Sequence, residues 1–135
     1  MSTPKPVASR PLSPHLGNWR WSATMATSIF HRVTGVGSAI GVLLLMWWLV
    51  SVAGSREAYA GFSSFISSPF GRFVLFGFTV SLCFHLLNGM RHLFWDAGHG
   101  FELAVATRWS LFSIVGSVIL TLVIWYFGYS MMEAV

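Results

Sequence analysis

Residues 70–94 read FGRFVLFGFTVSLCFHLLNGMRHLF, an apolar run that nevertheless holds two histidines and two arginines. A helix of roughly 20 to 25 residues crosses the hydrocarbon core of a bilayer, which is about 30 Å thick. Lipid offers the backbone no hydrogen-bond partners, so a spanning segment of this kind must be helical. The run therefore predicts a transmembrane helix that carries polar side chains at membrane depth.

Two further apolar runs lie at about residues 29–52 and 109–132. The whole chain of 135 residues is 55% hydrophobic and only 9% charged, against about 25% charged residues in a soluble domain. Residues 53–69 are rich in Ser, Gly and Ala, which predicts a loop or a short interfacial helix ended by Pro69. The sequence thus predicts an all-α membrane protein with three transmembrane helices.

The basic residues predict the orientation of these spans, and they give no sign of nucleic-acid binding. Arg56 lies between the first two spans and Arg72 lies at the start of the second, so both belong to one side, whereas six basic residues belong to the other side: Lys5, Arg10, Arg20, Arg32, Arg91 and Arg108. This bias predicts a cytoplasmic N-terminus and a C-terminus on the opposite side. Residues 1–27, rich in proline, are predicted to form an extended cytoplasmic arm, and residues 28–135 the membrane-anchor domain. The lone Cys83 excludes a disulfide framework and a cysteine-based metal cluster.

His85 is predicted to lie well inside the membrane, about 20 Å along the helix from Arg72. His92 falls on the same face, about 20° round the helix and about 10 Å further on, and that face also carries small residues at Gly77, Ser81 and Gly89. Such a stripe suits helix packing, and the simplest role for His85 is a hydrogen bond to a neighbouring helix. It equally suits a flat haem held edge-on by His85, with His92 and Arg91 near its propionates. The haem prediction would fail if the iron-facing nitrogen faced lipid or were bonded only to a carbonyl group.

The first span opens with Ser28, His31, Arg32 and Gly35 near the predicted cytoplasmic boundary. Ser28 and Arg32 are four residues apart and share a helix face. Arg32 could simply extend to lipid phosphates. A hydroxyl beside a guanidinium also suits a quinone, because its carbonyl oxygens need donors and the charge that develops on reduction needs a nearby cation. His31 would then face the haem edge.

Three motifs together resemble a known family: RPLSPHL at residues 10–16, SIFHRVTG at residues 28–35 and HLLNGMRHLFWD at residues 85–96. In this order and at these distances they are similar to the cytochrome b556 large anchor subunits of succinate dehydrogenase, respiratory complex II. The resemblance covers nearly the whole chain. It departs from the family pattern at LGNWRWS, residues 16–22, near the first span.

The resemblance implies a non-catalytic subunit of an oxidoreductase. It implies that His85 is an axial ligand of one b-type haem, with the second ligand supplied by a small anchor subunit, and that His31, His92 and Arg91 lie at the haem propionates. It also implies that Ser28 and Arg32 line a ubiquinone site completed by the small anchor and the iron–sulfur subunit. Electrons would arrive from a flavoprotein subunit that oxidises succinate in the tricarboxylic acid cycle.

Two alternatives stay open at this point. One is a purely structural anchor that holds no haem, and the other is the anchor of a fumarate reductase working in the opposite direction. No long leader precedes the first span, from which we expect a bacterial inner membrane in preference to a mitochondrial one.

Overall fold

The computed structural model describes Ser13 and residues 15–133, and all the regular structure in that part of the chain is helical. Residues 10–12 and 14 of the motif at residues 10–16, and 13 of the 27 residues of the predicted arm, therefore lie outside the described residues. A single 3₁₀ turn at Leu16–Asn18 comes first. Four α-helices follow: α1 (Ala23–Ala53), α2 (Arg56–Ser67), α3 (Pro69–Asp96) and α4 (Leu103–Glu133).

Three of these helices are long and apolar enough to cross a membrane. The candidate spans are Ala23–Ala53, Pro69–Asp96 and Leu103–Met132, with mean hydropathies of 2.1, 1.7 and 2.1. The prediction of an all-helical membrane protein with three spans is confirmed. The three predicted spans lie within these helices, but α1 begins at Ala23, inside the range predicted for the extended arm.

Serine side chains start the first three helices. Ser22, Ser55 and Ser68 each accept a hydrogen bond from a backbone N–H of the following turn, which satisfies one of the donors that a helix leaves unpaired at its N-terminus. Ser68 is also the C-terminal boundary of α2, and Pro69 is the first residue of α3. Pro69 thus begins a helix, where its missing N–H costs nothing.

Helix α3 packs against both α1 and α4, and small residues allow the close approach to α1. A Cβ atom added to Gly37 would lie 3.3 Å from the Cβ of Ser81, and one added to Gly41 would overlap the ring of Phe78. Helix α2 covers one end of the bundle, where the ring of Trp47 contacts Phe62 at 5.1 Å between centroids. Gly37, Gly41 and Ser81 therefore allow the close helix packing that small residues permit, whereas Gly77 of the predicted stripe takes no part in it.

The bundle is apolar outside and partly polar inside. Side chains such as Leu43, Val50 and Leu122 are more than half exposed, whereas Asn88 and Ser110 are fully buried. This arrangement suits a lipid surrounding, because lipid solvates the outer side chains and polar groups must find partners within the bundle.

Candidate functional site

The histidines of the first two spanning helices form a cluster. The ring of His31 on α1 stacks on the ring of His85 on α3, with centroids 4.0 Å apart and planes 7° apart. The ring of His92, two turns further along α3, lies 5.0 Å from that of His31. The seven-residue spacing predicted that His85 and His92 share one face of α3. In the structure the ring of His31, which belongs to α1, contacts both of them.

The two ring nitrogens of His85 differ in their contacts. Nδ1 lies 3.2 Å from the main-chain carbonyl oxygen of His31, so Nδ1 carries the proton that it donates. This bond is the interhelical role that the sequence analysis held open. It also leaves Nε2 as the nitrogen with a free lone pair, and metal-bound histidines usually donate their other N–H to a carbonyl or carboxylate in this way. The half-buried imidazole of His85 is thus held through one nitrogen, as the imidazole of a metal-bound histidine usually is.

Glycine keeps the space beside this imidazole open. A Cβ atom at Gly35 would lie 3.3 Å from Cε1 of His85, and one at Gly89 would lie 3.9 Å from Cε1 of His31. The contact at Gly35 is tight, because Cβ atoms seldom approach carbon so closely. A larger residue there would push the imidazole aside.

An apolar groove begins one helical turn from His85. It has a volume of about 520 Å³ and is lined on α1 by residues that include Gly37 and Gly41, and on α3 by residues that include Gly77 and Ser81. A Cβ atom added to Gly77 would have no neighbour within 4 Å. The α1–α3 groove therefore lies along the same face of α3 as His85. It offers apolar space that begins one helical turn from this histidine.

Several buried polar atoms around the cluster have no hydrogen-bond partner among the described residues: Nδ1 of His31, Oγ of Ser38, Oδ1 of Asn88 and Nε of Arg91. Nδ2 of Asn88 lies 3.4 Å from Nε2 of His92 on the same helix. Unpaired buried polar atoms are rare in native structures and call for an explanation. His31, Asn88 and Arg91 lie toward the end of the bundle where α3 finishes, and such a group is typical of a site that receives a polar ligand, whereas Ser38 lies at the middle of α1.

Arg91 is 1% exposed and points into the bundle. Its Nη1 donates to Oγ1 of Thr27 on α1 at 2.7 Å and to Oγ of Ser110 on α4. Its guanidinium also lies 4.4 Å from the ring centroid of Trp95. The structure therefore brings Arg91 into an interhelical cluster beside the histidines, with Nε buried and without a partner among the described residues. Asp96, five residues after Arg91, is exposed, and no ion pair joins the two in the part of the chain that the structure describes.

Ser28 and Arg32 flank the histidine cluster on α1. Ser28 is half-buried and Arg32 is exposed, and neither side chain makes a hydrogen bond within residues 15–133. The i, i+4 relation places both at the end of the bundle where Thr27 and Arg91 meet. Ser28 precedes His31 by three residues and so neighbours it on the helix surface, whereas Arg32 lies about 100° round the helix from His31.

Sequence reasoning missed Thr27 and Ser110, which hold Arg91. A signal for Ser110 was present in the third span, because Ser110, Ser113, Ser117 and Thr121 recur at intervals of three or four residues and are all buried. Hydroxyls repeated on one face of a spanning helix indicate the face that meets its neighbours. No comparable repeat identified Thr27.

Comparisons with known proteins agree with this architecture. A family model described as "Succinate dehydrogenase/Fumarate reductase transmembrane subunit" matches residues 7–124. A succinate dehydrogenase cytochrome b556 subunit from Paracoccus denitrificans is 41% identical over 121 residues, which covers 87% of this chain and 93% of the relative. One from Rickettsia prowazekii is 36% identical over 86% of this chain and 90% of the relative.

The likeness extends to a mitochondrial protein. A succinate dehydrogenase cytochrome b560 subunit from Sus scrofa is 37% identical over 75% of this chain and 61% of the relative. The resemblance drawn from the three motifs is confirmed by these matches. The chain belongs to the family of succinate dehydrogenase/fumarate reductase transmembrane subunits.

Proposed function

We propose that this chain is the cytochrome b membrane anchor of a succinate:quinone oxidoreductase, and that it binds one b-type haem together with a small anchor subunit. The observation that carries the proposal is the orientation of His85. Its Nδ1 is committed to the carbonyl of His31, so its Nε2 is left to bind iron, one helical turn from an apolar groove that is lined on α3 as far as Ser81.

The residues present fit a haem. A b-type haem held between two histidines supplies a one-electron carrier, and one chain offers one such histidine, so the second ligand comes from the small anchor subunit. The α1–α3 groove gives the macrocycle apolar walls. Because Gly35 has no side chain, helix α1 can approach the imidazole ring of His85 closely at this position.

The unpaired polar atoms at the other end of the cluster suit the haem carboxylates. Nδ1 of His31 and Nε of Arg91 are buried without a partner among the described residues, and His92 lies beside them. We assign His31, His92 and Arg91 to the propionates. Cations and N–H donors there would offset the cost of placing carboxylates near the hydrocarbon.

Ser28 and Arg32 are assigned to the quinone. An exposed guanidinium and a half-buried hydroxyl at the end of the bundle can donate to the carbonyl oxygens of ubiquinone, and the fixed charge of Arg32 favours the electron-rich oxygens as reduction proceeds. An iron–sulfur subunit and a flavoprotein complete the complex. The chain is then a non-catalytic subunit in a bacterial inner membrane, with its N-terminus in the cytoplasm.

Optical spectra of the purified complex test the haem assignment. We expect His85→Ala to remove or greatly reduce the b-type band in reduced-minus-oxidised spectra, because one of two axial ligands is lost. His99→Ala is the matched control, since His99 is exposed in the link between α3 and α4, and it should retain the band. A wild-type complex that lacks the band would favour a haem-free anchor, and a His85→Ala complex with a normal band would refute the ligand assignment.

A further inference from the structure

A second groove lies between α3 and α4 at the end of the bundle that α2 covers. It has a volume of about 370 Å³, within the range of about 300–1,000 Å³ that is typical of small-molecule sites. On α3 it is lined by Arg72, Leu75 and Thr79, and on α4 by residues that include Trp125, Gly128 and Tyr129. We call it the α3–α4 groove.

This groove faces away from the proposed haem. One stripe of α3 holds Gly77, Ser81 and His85, which are four residues apart. A second stripe of α3 holds the three residues that line the α3–α4 groove. At about 100° per residue, the two stripes lie about 150° apart around the helix. A partner subunit that grips the haem on the first stripe would leave the second stripe facing lipid.

The chemistry of the α3–α4 groove changes along its length. Arg72 is exposed and belongs to the first turn of α3, so its guanidinium lies at the membrane boundary. From Arg72 to Thr79 the groove runs about 10 Å into the membrane. Its inner walls are apolar, and the indole of Trp125 is held in place because Nε1 donates to Oγ1 of Thr79 at 3.3 Å.

A cation at the interface above an apolar channel matches an anionic amphiphile. A basic residue near the membrane surface attracts anionic lipid headgroups through its charge, by about 1 kcal/mol per residue. Tyr129 lies one helical turn beyond Trp125, on the side of the α2 end, and is therefore closer to the headgroup level that amphipathic rings favour. A guanidinium can donate to quinone carbonyls, as proposed for Arg32, but only a lipid phosphate carries a permanent negative charge for Arg72 to pair with, so charge pairing favours a phospholipid.

We propose that the α3–α4 groove binds one anionic phospholipid of the leaflet at the α2 end of the bundle. Its phosphate pairs with Arg72, and one acyl chain lies along Leu75, Thr79, Trp125 and Gly128. The site goes beyond the anchor and haem functions, and it does not depend on the ligand assigned to His85.

Native mass spectrometry of the purified, delipidated complex tests the site. Dioleoylphosphatidylglycerol and dioleoylphosphatidylcholine are titrated separately into wild type and three variants. Arg72→Gln removes the charge, and Gly128→Leu fills the groove, where a Cβ atom meets nothing within 4 Å. Arg56→Gln is the matched control, because Arg56 is also exposed and lies in the same inter-span region but does not line the groove.

We expect the delipidated wild-type and Arg56→Gln complexes each to bind one added phosphatidylglycerol molecule tightly. Arg72→Gln should weaken its binding about fivefold, the contribution of one basic residue near a headgroup, and should affect phosphatidylcholine less. Gly128→Leu should abolish binding of this lipid although the charge remains. The haem band of each variant should stay normal, which separates loss of the lipid from loss of the fold.

Three results would overturn the proposal. Equal weakening by Arg72→Gln and Arg56→Gln would mean that lipid responds only to overall charge. Normal phosphatidylglycerol binding by both Arg72→Gln and Gly128→Leu would place the lipid elsewhere. Displacement of the bound lipid by ubiquinone in wild type, but not in Gly128→Leu, would assign the α3–α4 groove to the quinone.

Discussion

An imidazole has two ring nitrogens, and at His85 they have separate tasks. Because Nδ1 donates to the carbonyl of His31, the ring is fixed in orientation and in tautomer, and Nε2 keeps its lone pair. The hydrogen bond and the proposed iron bond therefore use different atoms. A histidine that only joined two helices would not need the glycine that lies against its ring.

Arg32 is the residue through which the quinone assignment can be tested. We expect Arg32→Ala to lower the rate of ubiquinone reduction roughly 10- to 100-fold, since removing one preorganised donor costs up to about 10²- to 10³-fold. Succinate oxidation with an artificial dye should stay near the wild-type rate, because that chemistry occurs on other subunits. Steady-state assays with each acceptor make the comparison.

Arg20→Ala provides the control for this measurement. Arg20 is exposed and precedes α1 on the same side of the membrane, so its loss changes the net charge equally without touching the assigned site. Normal quinone reduction by the Arg32 variant, or an equal loss in both variants, would contradict the role of Arg32.

At the scale of the helices, hydropathy predicted the number and the order of the spans but not their ends. An apolar run marks the part of a helix that lies in hydrocarbon, whereas α1 continues outward to a serine cap at Ser22. Capping chemistry can be recognised in sequence, but Ser, Thr and Gly are so frequent here that several positions qualify. The glycine contacts with Phe78 and His85 required coordinates, because spacing shows which residues share a face and not what they meet.

The histidine cluster was predictable in part for the same reason. Periodicity placed His85 and His92 on one face of α3, but the stacking of His31 on His85 depends on how α1 is rotated against α3. The inward direction of Arg91 was likewise hidden, because its partners Thr27 and Ser110 come from two other helices. Long-range partners of this kind leave no local pattern.

The cluster around Arg91 predicts which hydroxyls stabilise the bundle. Ser110 accepts from Arg91, whereas the equally buried Ser113 only donates to the carbonyl of Trp109 in its own helix. We expect Ser110→Ala to destabilise the complex by about 0.6–2 kcal/mol, the range for membrane hydrogen bonds and for those to charged groups. Ser113→Ala should change stability by less than about 0.5 kcal/mol.

Thermal unfolding of the two variants in the same detergent makes this comparison. A lower midpoint for Ser110→Ala than for Ser113→Ala is expected, because only the first leaves a buried guanidinium with one partner fewer. Equal midpoints would show that Thr27 alone suffices to hold Arg91 and that the bridge to α4 adds nothing.

As a whole, the molecule presents two grooves on different faces of one central helix. The α1–α3 groove continues from the histidine cluster and suits a cofactor shared with a partner, whereas the α3–α4 groove carries its cation at the other end. The three apolar helices have little buried surface of their own. A chain built in this way reaches its final packing only with lipid and partner subunits around it.

The orientation of the whole chain is open to direct measurement, because Cys83 is the lone cysteine and is buried. We expect a cysteine introduced at Ser55, before α2, to react with a membrane-impermeant maleimide in spheroplasts, since the positive-inside bias places that region outside. A cysteine at His99, in the link between α3 and α4, should react only after the membrane is permeabilised. Wild type, with Cys83 alone, gives the background. The reverse pattern of labelling would invert the topology and move Ser28 and Arg32 to the face away from the cytoplasm.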